Sequence, residues 1–303
     1  MTLRKIAVFH CEAFPGSAWC CAEGIVNTFR AMGYEVFDGG RPDWRVIPIE
    51  ALADADLILA SGLEWYHGVL TERYGQAWLD LPGVKAAWFA ESAHRDDAEF
   101  DFAGMGRGFD LHYYPAIQDA EEFAGRWLPF GVDPAMFHPR AAQKLHDAAF
   151  LGTIYPKRAE YIARIPGGLN ILPTVSDPDR TRGFERLAET YSSTRIFVNL
   201  PAYSRLLVTK VTEIMACGTL LITPAIDHAS GVRNMAPFTH GKHLVYYDPN
   251  HPEDIGALIA RFSQDRDEAD RIAAAGKAEV LRAHRLEQRL AAIIADAEAL
   301  RDS

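Results

Sequence analysis

Cysteine, positive charge and long apolar runs are all scarce in this chain, and each scarcity closes off a class of protein. The four cysteines, Cys11, Cys20, Cys21 and Cys217, are too few in 303 residues to staple a disulfide framework. No Cys/His spacing matches a zinc site, so no metal site is expected, and the thiols read as free and buried in a reducing cytosol. The 31 Lys and Arg residues are outnumbered by 41 Asp and Glu, a formal charge of −10 with a pI near 5.6. A surface of that sign gives no general attraction to nucleic acid or anionic lipid, although local basic patches remain open. No segment approaches the ~18 consecutive apolar residues of a membrane helix. The apolar run that follows the first few residues is too short for a signal peptide. A cytoplasmic protein without membrane insertion is therefore expected.

What is present suits a folded enzyme-sized chain. Apolar residues make up 49% and charged ones 24%, so burial can offset chain entropy and there is no compositional case for disorder. The length fits two α/β domains. Short buried strands at Ile6–Phe9, Tyr34–Phe37, Leu57–Ala60, Ala86–Phe89 and Leu111–Tyr114 alternate with helices at 18–32, 69–79 and 117–124. In the first helix Ala22, Ile25, Phe29 and Met32 recur on one face, and Gly33 ends it.

A turn-rich stretch, Leu128-Pro129-Phe130-Gly131-Val132-Asp133-Pro134, precedes a polar connector. Strands are then predicted at 148–151, 169–172, 195–199, 220–223 and 244–247, with helices at 157–164, 182–191 and 208–217. From Pro252 onward the chain reads as helical. The pattern predicts two doubly wound units: residues 1–137, a linker at 138–147, and 148–303 with a helical tail. In such folds ligands bind outside the carboxyl ends of the strands, where helix N-termini converge.

One helix concentrates the chemistry. The first turn of 208–217 offers free N–H groups and a positive dipole end to a diphosphate, and Thr209 and Lys210 add a hydroxyl and a cation there. Glu213 follows one turn later on the same side. A carboxylate accepts two hydrogen bonds as a fork, which suits the vicinal diol of a ribose. The same spacing also describes a surface glutamate paired with Lys210. Gly152 and Thr153 follow a strand and precede a helix, where backbone can approach phosphate closely. Lys157 and Arg158 lie in that helix's first turn, where cations are disfavoured unless an anion is near.

In the first unit, the loop holding Gly16 and Ser17 follows the first strand. Ser17 suits a helix N-cap, and Gly16 could approach a phosphate or acceptor. The cluster Glu91-Ser92-Ala93-His94 ends the strand at 86–89. Glu91, then His94, are the candidates for the general base that takes a proton from an acceptor hydroxyl; His10 and His67 stand behind them. Asp96 and Asp97 read as a solvated turn. Trp65 and Tyr66 could stack on a sugar or base.

The stretch Glu213-Ile214-Met215-Ala216-Cys217-Gly218 with its following buried strand resembles the donor-binding signature of family 4 glycosyltransferases. The run Phe238 to Asp248, then Pro252-Glu253-Asp254-Ile255, is similar to that family's loop, strand and first C-terminal helix. Ala274-Ala275-Gly276-Lys277, Val280, Leu281 and His284 resemble a run in its spore-maturation-type branch. Residues 128–139 resemble the interdomain hinge, and Phe150-Leu151-Gly152-Thr153 with Arg158 the first donor-domain loop. The resemblance implies a GT-B fold, two Rossmann-like domains facing across a cleft. It implies an enzyme, hexosyltransferase-like and metal-independent, with no permanently bound cofactor.

The co-substrate implied is a nucleotide-diphosphate sugar, UDP-linked in preference to GDP-linked. Gly152, Thr153, Arg158, Thr209, Lys210 and Glu213 would hold it, Glu213 at the ribose. Two positions depart from the pattern. Arg205 stands where many family members carry a second glutamate that contacts the transferred sugar, and Lys210 stands where the branch often has Arg, a point charge in place of a planar fork. The acceptor is open. Relatives of this kind include enzymes that glycosylate a hydroxymethylated base in phage-type DNA, and a non-catalytic nucleotide-sugar-binding protein is the other alternative.

Overall fold

The computed structural model describes residues 3–10, 20–39, 47–66, 69–95, 99–140, 143–173, 180–202, 206–225 and 237–303. Within them, parallel strands build two separate sheets. The first holds β1 (Lys5–His10), β2 (Glu35–Asp38), β3 (Leu57–Ser61), β4 (Val84–Trp88), β5 (Leu111–Tyr114) and β6 (Arg126–Trp127), in the order β2-β1-β3-β4-β5-β6. The second holds β7 (His146–Leu151), β8 (Ile171–Leu172), β9 (Thr194–Val198), β10 (Leu220–Pro224) and β11 (Val245–Tyr247), in the order β11-β10-β9-β7-β8. Between and after them run helices α1 (Cys20–Ala31), α2 (Leu63–Tyr66), α3 (Leu70–Tyr74), α4 (Gln76–Leu79), α5 (Phe102–Met105) and α6 (Ile117–Glu122). The second half adds α7 (Pro156–Ala163), α8 (Arg180–Ser192), α9 (Thr209–Ala216), α10 (Asp254–Gln264), α11 (Arg266–Ala283) and α12 (Leu286–Arg301).

This is the doubly wound α/β arrangement expected from the alternation of short apolar runs and helices. Every residue of β3 and of β4 is buried, because helices cover both faces of a parallel sheet. The order reverses between β1 and β3 in the first sheet and between β7 and β9 in the second. Those reversals open crevices at the carboxyl ends of the strands.

The expected helix at 69–79 is two helices, because Gly75 at φ +60° ends α3 and begins α4. The elements α2, α5 and β6 have four, four and two residues, too short to leave a periodic signal.

The chain passes between the two sheets twice, and the two passages are bonded to each other. Val132 on the outward passage donates its N–H to the His284 carbonyl at 3.0 Å, and Leu286 on the return donates to the Val132 carbonyl at 2.8 Å. Arg289 Nε adds a bond to the Pro129 carbonyl at 2.8 Å. The return delivers α12, the end of the segment grouped with residues 148–303 in the sequence, onto α1 and β4 of the first sheet. Gly24 in α1 gives room there, since a Cβ on it would lie 2.9 Å from the Leu286 side chain. Tyr113 donates to Asp296 at 2.7 Å, Arg301 pairs with Asp56 at 2.7 Å, and Arg126 pairs with Asp296. One apolar core accordingly runs from Ile25, Phe29 and Trp88 through Phe130, Val132 and Leu290 to Phe137, Tyr191 and Ile214.

At Gly131 the passages touch backbone to backbone: an added Cβ would stand 2.7 Å from Arg285 C and Leu286 N. Neither partner is a flexible side chain, so the overlap cannot be relieved by a rotamer change. Gly131→Ala is expected to cost about 1–3 kcal/mol of stability, read as a lower urea midpoint. An unchanged midpoint would show that the crossing has slack.

Candidate functional site

The crevice between β7 and β9 gathers two cations around a glycine. Lys210, in the first turn of α9, reaches back to donate Nζ–H to the Leu151 carbonyl at 2.6 Å, which clamps the helix start to the end of β7. Arg158, buried in the first turn of α7, donates Nη1–H to the Thr153 carbonyl at 2.8 Å and Nε–H to the Pro201 carbonyl at 3.0 Å, beyond the end of β9. The guanidinium also lies over the Tyr155 ring, 4.6 Å from its centre, and both cations face the Phe150 ring at 5.3 Å. Both cations close on Gly152. A Cβ there would stand 3.0 Å from Lys210 Nζ and 3.3 Å from Arg158 Nη1.

Burial and the neighbouring Arg158 charge lower the Lys210 ammonium to about 8, and Glu213 pulls in the opposite direction. Two like charges held together in a crevice are costly unless an anion completes the site. Glu213 is 4% exposed, and the buried Tyr191 hydroxyl faces its Oε2 at 3.4 Å. The α9 start has no side-chain cap, Val208 being its cap residue, so its first N–H groups have no side-chain acceptor from that position. Thr153 follows Gly152 and is exposed, and Thr209 opens α9 beside Lys210 and is half-buried. Six of the residues singled out in the sequence, Gly152, Thr153, Arg158, Thr209, Lys210 and Glu213, thus share one crevice.

Close packing behind α9 explains the motif that follows it. Gly276 of α11 faces the His243 carbonyl and Met215, with an added Cβ falling 2.2 Å from the carbonyl oxygen and 3.0 Å from Met215 Cε. The glycine lets α11 lie close against α9.

A second cluster sits at the carboxyl edge of the first sheet. Glu91 follows β4 and pairs with Arg95 Nη1 at 2.7 Å. His94 Nε2 stands 3.0 Å from Glu122 and 3.7 Å from Asp119. Asp119 is fully buried, and burial pushes its carboxyl up, with Ser92, the His94 charge and the Ala93 amide opposing. Glu64, in the first turn of α2, accepts the N–H groups of Ala90 and Glu91. The structure therefore brings Glu91 and His94 onto one turn, apart from the Lys210 and Arg158 group and on the other sheet.

Glu64, Asp119 and Tyr191 were not singled out in the sequence. For Glu64 the one available signal was its place two residues past Gly62, which ends β3 at φ +69°. Gly16, Ser17, His67, Asp96, Asp97 and Arg205 lie outside the described residues, as do the side chains of His10, Trp65 and Tyr66. Among the described residues no group of three or more His, Cys, Asp or Glu side chains could hold a metal ion. No described helix is long and apolar enough to cross a membrane.

Solved structures share this fold over nearly the whole chain. A sucrose-phosphate synthase from Thermosynechococcus elongatus superposes with a TM-score of 0.68 at 16% identity, covering 99% of this chain and 100% of its own. An alpha-glucosyltransferase in complex with UDP and a 13-mer DNA gives 0.67 at 13% identity, covering 96% and 99%. HepE from Anabaena, in complex with UDP-glucose, gives 0.65 at 12% identity, covering 99% and 100%. The architecture is GT-B, two Rossmann-like units with a helical C-terminal region. No curated protein matches by sequence. A family model described as glycosyl transferase-like matches residues 141–295, which spans β7 and its crevice, α9 and most of α12. With more than half of its length matched, the chain belongs to the glycosyl transferase-like family.

Proposed function

We propose that this protein transfers a hexose from a UDP-sugar to a hydroxyl acceptor without a metal ion. The observation that carries the reading is the convergence of Lys210 and Arg158 on Gly152 at the reversal point of the second sheet. A diphosphate placed there meets two cations and the N-terminal turn of α9. Glu213, buried one turn along, is suited to accept both hydroxyls of the ribose. UDP is favoured because structural neighbours are described with UDP or UDP-glucose.

The chemistry follows from the charges. The bond between the sugar's anomeric carbon and the UDP oxygen breaks, and the acceptor oxygen bonds to that carbon. Negative charge grows on the departing diphosphate, where Lys210 and Arg158 stabilise it in place of a cation from solution. The acceptor proton passes to Glu91 or His94, the acceptor-side groups. The neighbour with DNA widens the range of acceptors considered for this chain, but the −10 net charge works against a duplex partner.

The donor site has two signatures. UDP should raise the melting temperature of the wild type by mass action, and Glu213→Ala should abolish most of that shift. A shift of unchanged size in the variant would remove Glu213 from the ribose. The second signature is a pH dependence. Lys210 carries its charge below pH 8 and loses it above, whereas a bound diphosphate holds the proton in place. UDP affinity should therefore be level up to about pH 7.5 and weaken above pH 8 by at most about tenfold per pH unit. Lys210→Met should bind about tenfold or more weakly at pH 7 and lose the alkaline decline. Calorimetric titration across pH 6.5–9.5 measures both, and a decline that persists in Lys210→Met would assign the proton to another group.

A further inference from the structure

The turn that carries Glu91 and His94 is held from below by a side chain the donor chemistry does not use. Glu64 is buried, and its Oε1 accepts the N–H of Ala90 and the N–H of Glu91, each at 2.6 Å. Its other oxygen, Oε2, is shielded from solvent and has no hydrogen-bond partner among the described residues. A buried carboxylate is costly unless it is hydrogen-bonded, and the bonds this one makes go to backbone amides of another element. Its bonds reach directly to the backbone of Glu91.

We propose that Glu64 is a positioning residue for the acceptor side: its paired hydrogen bonds and buried charge fix the Ala90–Glu91 turn and so orient the Glu91 carboxylate. This rests on the reading of that turn as the acceptor side.

The surroundings make the grip sensitive to protons. Burial pushes the Glu64 carboxyl up to about 7; the amides of Ala90 and Glu91 and its own N–H pull it down, and the Glu91 charge adds to the rise. Arg95 neutralises Glu91 from the other side. The Tyr114 hydroxyl feels both Glu64 and Asp119, and Asp119 in turn faces His94 and Glu122. Above pH 7 Glu64 is ionised and both amide bonds are charge-assisted. Below it the carboxyl is neutral and the bonds weaken.

The test uses amide hydrogen exchange and amide NMR shifts at Ala90 and Glu91 in the full chain, with UDP-glucose turnover measured alongside. In E64A both amides should exchange at least about tenfold faster, turnover should fall by a similar factor, and the UDP thermal shift should be unchanged. E64Q keeps an acceptor oxygen without the charge. It should protect the amides better than E64A but less than the wild type at pH 8, and it should abolish the pH dependence of the two amide shifts expected near neutrality in the wild type. Exchange in E64A equal to the wild type, or an amide titration that persists in E64Q, would overturn the proposal. If E64A does not fold, the E64Q titration decides by itself. Wild-type turnover in both E91Q and H94Q, with the amides behaving as expected, would instead overturn the acceptor reading and leave Glu64 as the anchor of the turn.

Discussion

The chain leaves its first sheet through Leu128–Phe137 and returns through His284–Leu286, and the two passages are welded by reciprocal backbone hydrogen bonds at Val132. Gly131 permits that contact by presenting no side chain to the returning backbone. Much else depends on this junction. It sets α12 on α1 and β4, which closes one face of the first sheet. It also lets one apolar cluster run from one face of the first sheet to one face of the second, with Phe130, Val132 and Leu290 in the middle. The crevices at the ends of β7 and of β4 are therefore held in relation to each other by covalent chain and packed core together.

The same core reaches α9. Phe137, at the end of the outward passage, packs on Tyr191, and the Tyr191 hydroxyl faces Glu213. At the other end of α9, Lys210 is bonded to the end of β7. The helix is thus fixed at its start by a charged bond and along its buried side by aromatic packing. In the proposed transfer, charge arranged in this way before a ligand arrives would spare the site reorganisation at the moment of reaction.

The sequence was most informative where one element carries several candidate site residues in a short span. Thr209, Lys210 and Glu213 sit within five positions of one helix, and helical spacing alone places them on one side. Gly152 and Arg158 were legible as a strand–loop–helix, but their contact with Lys210 depends on β7 and β9 being neighbours, which local pattern does not reveal. Glu64 and Tyr191 were harder for the same reason. Each acts on a residue more than twenty positions away, and nothing in their own surroundings announces it. The apolar positions Leu290, Ile293, Ile294 and Ala297 show that α12 buries a face but not that the face belongs against the first sheet. The stretch 69–79 reads as one helix in the sequence, and the positive φ of Gly75 is what divides it.

The docking of α12 means that the first half of the molecule is not a continuous piece of chain. A fragment ending at the connector would contain all six strands of the first sheet yet leave β4 and α1 bare where Leu286, Leu290, Ile293 and Ile294 now cover them. Such a fragment would expose an apolar strip and leave Tyr113 and Asp56 without their partners Asp296 and Arg301. Dissecting this protein into halves consequently calls for three pieces of sequence: a first half completed by its distant terminal helix, either grafted on through a short loop or added as a separate peptide.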